Sequence, residues 1–139
     1  MNSTLITAVI GLITIGFGLV GLFKPALVMA MVGLKIEPGS DATVMGEMRA
    51  VYGGMPLVLG AFTLLASLDP ARHRSRLTLI GLVWLGVCAG RLFSITIDGA
   101  PGLVGWGNAA LELVGGAMLL VASRAPGAEG RREAAQGVM

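Results

Sequence analysis

Residues 46–54 read GEMRAVYGG, and they open an apolar stretch that continues to Leu68. Glu47 and Arg49 sit near its start, and charge inside a lipid-crossing segment is expensive. Two other long apolar stretches carry one ionisable residue each, Arg91 and Glu112. Two acids and two bases in oily surroundings balance one another. The reading they suggest is a bundle of membrane helices that keeps these four residues together and away from lipid.

Composition agrees with a membrane setting. Hydrophobic residues make up 55% of the 139-residue chain and charged residues 13%, against roughly 25% charged in ordinary soluble domains. The mean hydropathy is +0.83. So sparse a supply of charge cannot cover a soluble surface. The net charge is only +2, and the arginines lie at the ends of apolar stretches, where they act as topology signals rather than a nucleic-acid footprint. One cysteine, Cys88, excludes an intrachain disulfide, and one histidine, His73, leaves no zinc spacing. No cofactor motif or metal-ligand set is present, so none is expected.

Ser3–Phe23 is long enough to span a hydrocarbon core of about 30 Å at about 1.5 Å per residue. Met1–Thr4 has no positive charge and the apolar run exceeds a signal-peptide h-region, so it reads as a retained anchor. Thr7, Gly11, Thr14, Gly18 and Gly21 recur at steps of four and three, a small-residue stripe suited to close helix packing. Lys24-Pro25 ends that helix. Ala26–Leu34 is too short to span and reads as an interfacial helix, followed by a turn-rich loop over Lys35–Ser40.

Ser40 or Asp41 is the expected N-cap of the second long helix, whose spanning part covers about 47–68. Arg49, Gly53, Pro56, Gly60, Thr63 and Ser67 share one face, and Pro56 predicts a kink. Asp69-Pro70 reads as a helix start, and Arg72, His73, Arg74 and Arg76 follow at once. The positive-inside rule places that loop in the cytoplasm. Spans over about 77–97 and 103–122 follow, separated by the turn Asp98–Gly102, and a polar tail over 125–139 is expected to be disordered. The fold class is therefore an all-α, polytopic membrane four-helix bundle with both termini cytoplasmic, in a bacterial inner membrane.

In this topology Arg91 lies about 9 Å, and Glu112 about 13–14 Å, below the outer boundary, a difference an arginine side chain can bridge. Glu47 and Arg49 enter from the same side. Arg91, Ser94 and Asp98 share a face, as do Asn108 and Glu112, and Tyr52 follows Arg49 by three. The candidate polar cluster is thus Glu47, Arg49, Tyr52, Arg91, Ser94, Asp98, Asn108 and Glu112. One interpretation is an ion-pair network that only fixes helix register. The other is a pocket for a polar head group or for proton chemistry, since intramembrane ionisable residues mark function by default.

GEMRAVYGG at 46–54, GRLFSITIDGAP at 90–101 and LELVGG at 111–116 together resemble an uncharacterised family of small four-helix bacterial membrane proteins, distantly similar to the DoxX/DoxD-like proteins. The resemblance runs to about Arg124 and rests on Glu47, Arg49, Tyr52, Gly53, Gly54, Gly60, Gly90, Arg91, Ser94, Asp98, Gly99, Pro101 and Glu112. It implies four helices and no established activity. The quinone-coupled sulfur oxidation of DoxD-like relatives finds no cofactor motif here to carry it. The leading expectation is a protein that binds a lipid, a quinone-like ligand or another small amphiphile, or serves as a membrane partner subunit. A membrane enzyme using Glu112 or Glu47 as acid or base is the alternative. An oligomeric proton-coupled transporter, assembled through the small-residue faces, is the third.

Overall fold

The computed structural model describes residues 3–35 and 42–124. Five helices fill it: α1 (Ser3–Phe23), α2 (Pro25–Met31), α3 (Ala42–Ser67), α4 (Arg74–Asp98) and α5 (Leu103–Ser123). No strand occurs among the described residues. The expected cap at Ser40 or Asp41 and the tail over 125–139 lie outside them.

Four of the helices, all but α2, are long and apolar enough to cross a membrane. Their outward faces are those of a chain solvated by lipid: Leu103 is 90% exposed, Leu68 80% and Phe23 78%. In water such a surface would drive association. These are the marks of a multi-pass membrane protein.

Long helices consecutive in the chain pack on one another, and α1 closes the ring against α5. The α1–α3 pair is tight because its contact face has no side chains to hold the backbones apart. A Cβ on Gly18 would lie 2.5 Å from the Leu57 nitrogen, and one on Gly60 2.7 Å from the Ile15 nitrogen. All five stripe residues of α1 are buried. The Thr7, Thr14 and Thr63 hydroxyls donate to helix carbonyls four residues back, so their burial leaves no donor unmet. The α4–α5 pair uses the same device at Gly81 and Gly116, where each would-be Cβ meets the other's carbonyl at about 3 Å.

Pro56 does more than kink α3. Residues Ala50–Gly54 form a π-helical turn, in which the Met55 N–H donates to the Ala50 carbonyl five residues back. Pro56 has no N–H for the Tyr52 carbonyl, and its ring crowds that oxygen. The extra residue in the turn moves the carbonyl aside, and it comes to rest against Gly21 of α1. Only glycine leaves room there.

The helix containing 47–68 is helical from Ala42, in line with its polar first turns. One helix boundary differs from the sequence expectation. The Asp69 carboxylate accepts from the Arg72 N–H at 3.1 Å, but it caps a turn, and α4 proper starts at Arg74.

Candidate functional site at the open end of the bundle

Packing is uneven along the bundle axis. The core cluster, Ala66, Leu77, Ile80, Leu119 and Ala122, lies at the end where Ser67, Arg74 and Ser123 meet, and Ile10, Leu59 and Trp84 pack against it. Toward the other end burial fades. Nothing in α4 beyond Cys88 is buried, and nothing from Ala42 to Tyr52. The α3 helix touches α4 through Met55–Ser67, while its earlier turns pack on α1 and α2. The seam between α3 and α4 is thus closed at one end and open at the other. The polar residues singled out in the sequence all lie toward the open end.

The structure does not join the four charges into one cluster. It makes one ion pair, Arg91 of α4 with Glu112 of α5. The Arg91 Nε–H donates to both carboxylate oxygens, at 2.8 and 2.9 Å. The Glu112 side chain is 13% exposed and the Arg91 side chain 34%. Arg49 turns elsewhere: its Nε–H donates to the Leu22 carbonyl at 3.2 Å. Leu22 lies in the last turn of α1, where carbonyls have no intrahelical donor and a cation is favoured by the helix dipole. Glu47 is exposed and has no hydrogen-bond or ion-pair partner among the described residues. Its separation has a simple cause, because residues two apart on a helix do not share a face. Ser94 donates to Asp98 at 2.6 Å, and this pair is also exposed. Tyr52 sits half-buried in the π turn.

Around the ion pair the donors outnumber the acceptors. The usual Arg–carboxylate fork uses two nitrogens. Here one nitrogen serves both oxygens, so the Arg91 Nη groups donate to nothing among the described residues. One turn outward from Glu112 on α5, the Asn108 Nδ2 is buried with no hydrogen-bond partner among the described residues. One turn from Arg91 in the other direction, the buried Cys88 Sγ lies 3.5 Å from the Ala109 carbonyl and donates to it, a second tie between α4 and α5 beside the pair. A charge-neutral pair flanked by unused N–H groups is suited to a ligand oxygen that accepts hydrogen bonds.

The sequence did not reveal the Leu22 carbonyl as the partner of Arg49. The signal was the break at Lys24-Pro25, which leaves last-turn carbonyls open.

Residues 3–123 match one family along nearly the whole described length. The chain belongs to the DUF4345 family, a domain of unknown function. The four membrane-capable helices all fall within the matched DUF4345 region. No curated protein and no solved structure matches the chain.

Proposed function

We propose that this DUF4345 protein binds a lipid or other small amphiphile at the open end of its bundle, with the polar end of the ligand presenting a carbonyl, ester or quinone oxygen to Arg91 and Asn108. The observation that carries the reading is a buried Asn108 Nδ2 that has no partner among the described residues, one turn from an ion pair whose Arg91 Nη groups are likewise unused there. A buried donor without a partner costs about 1–3 kcal/mol. A purely structural network would be expected to avoid that cost, whereas a binding site recovers it when ligand arrives. The apolar walls of the open seam suit an acyl or isoprenoid chain entering from lipid.

Binding is favoured over acid–base catalysis by Glu112, because both of its oxygens already accept from Arg91. Glu47, the other candidate base, lies on a helix segment that does not pack on α4 or α5 as a unit. We place the protein in a bacterial inner membrane with the open end outward, on the strength of the arginines at the closed end.

A partner-subunit role has one specific observation in its favour. The small-residue faces of α1 and α3 meet each other within the chain, but Gly86 and Gly90 of α4 are exposed with nothing within 4 Å. A G-x-x-x-G pair facing lipid is a helix-docking surface.

The test of binding is thermal unfolding in detergent with short-chain diacylglycerol or quinone added. A site that binds only the folded state raises the midpoint with ligand concentration. A flat response to both classes contradicts the reading.

A further inference from the structure

The closed end carries a second polar feature, far from Arg91. A cavity of about 260 Å³ lies between the start of α4 and the end of α5, lined by Arg74, Thr78, Leu120, Ser123 and Arg124. We propose that it holds the phosphate of an anionic phospholipid headgroup.

Three observations converge on that chemistry. First, among the described residues neither the Arg74 nor the Arg124 guanidinium has a hydrogen-bond or ion-pair partner. Two unpaired guanidiniums on one cavity offer donors in the geometry that phosphate oxygens accept. Second, Arg74 opens α4, with Arg72 just before it and Arg76 in the same turn, and that first turn has no acid. Cations at a helix N-terminus oppose the dipole, and its open N–H groups favour an anion. Topology signalling explains why arginines stand at this end, but not why two of them face a cavity. Third, among the described residues the Thr78 hydroxyl donates to no carbonyl, whereas those of Thr7, Thr14, Thr63 and Thr96 do. It lies one turn deeper than Arg74, level with the glycerol oxygens of a lipid whose phosphate sits between the arginines. Leu120 gives the cavity an apolar wall, while Ser123 donates inward to the Leu120 carbonyl at 2.8 Å.

Size and depth fit a headgroup. The volume is below the roughly 300 Å³ at which pockets take whole drug-sized molecules, so the acyl chains would run along the lipid-facing helices. A 25-residue α4 is about 38 Å long, which puts Arg74 at the headgroup level of a bilayer whose core is about 30 Å. The proposal does not depend on which leaflet that is, nor on the occupant of the open end.

The experiment is native mass spectrometry of the detergent-purified protein with phosphatidylglycerol, phosphatidylcholine or inorganic phosphate. Wild type should retain phosphatidylglycerol at least about tenfold better than phosphatidylcholine, a difference of about 1.4 kcal/mol. Arg74→Gln/Arg124→Gln should lose that preference. Arg72→Gln/Arg76→Gln, with the same loss of net charge, should keep it. Equal loss in both double variants would reduce the effect to diffuse attraction and overturn the site. Displacement of the lipid by millimolar inorganic phosphate would also overturn it, assigning the cavity to a free ion. Should the glutamine pair lose helicity, Arg74→Lys/Arg124→Lys retains the charge without the planar fork. A weakened preference there supports the site, and an unchanged one contradicts it.

Discussion

Arg91 and Glu112 form an ion pair in which one nitrogen serves two oxygens, at 2.8 and 2.9 Å. The pair joins α4 to α5 on the side of Cys88 where packing fades. It has two consequences. It neutralises charges that would otherwise be costly in lipid, and it leaves the terminal Arg91 donors available.

Removing one partner should hurt more than removing both. Loss of a partner from a buried ion pair costs about 3–5 kcal/mol. Arg91 is one-third exposed, so Arg91→Met is expected nearer about 2–3 kcal/mol, with its side-chain charge partly screened in the wild type. Arg91→Met/Glu112→Gln should recover most of that loss. Unfolding of the four members of this cycle in mixed micelles measures it, and simple additivity would argue against the pair.

Glycines should divide sharply into two groups. Gly18→Ala would drive a methyl into the Leu57 backbone and should destabilise by about 1–3 kcal/mol, as overpacking does. Gly16→Ala sits in the same helix with open space around it. It should be neutral or stabilising by up to about 1 kcal/mol, through better helix propensity. Thermal midpoints of the two variants decide the matter, and similar values would mean that α1 and α3 do not approach as closely as described.

Pro56 should set the orientation of Arg49. Pro56→Ala restores an N–H for the Tyr52 carbonyl, favouring an α-helical turn. Loss of the extra residue rotates everything before Gly54 by about 100°. Arg49 would then leave the Leu22 carbonyl. In the wild type, Arg49→Gln should cost on the order of 1 kcal/mol, the worth of an exposed cap. In a Pro56→Ala background it should cost nothing. An undiminished effect would show that the π turn does not position Arg49.

Much of the architecture was legible because it is periodic. The Thr7, Gly11, Thr14, Gly18, Gly21 stripe needs only the helical repeat to be recognised, and all five residues are buried. The Arg91–Glu112 pair was legible because charge in lipid needs a partner and the two depths differ by about one turn. The partner of Arg49 was not, because a backbone carbonyl has no letter in the sequence. Pro56 announced a disturbance, but whether a helix kinks or takes up a π turn depends on what lies opposite, here Gly21. Glu47 and Arg49 share a depth and a side of entry in the sequence, but a two-residue step places them on different helix faces.

Asn108 tests the central claim most directly. If its buried Nδ2 is kept for a ligand, Asn108→Leu should stabilise the ligand-free protein by about 1–2 kcal/mol, because an unmet buried donor is removed. Native mass spectrometry should find an amphiphile retained by the wild type and none by the variant. Gain of stability with loss of ligand is the predicted result. A wild type that purifies empty, together with an Asn108→Leu variant that is less stable, would contradict the account.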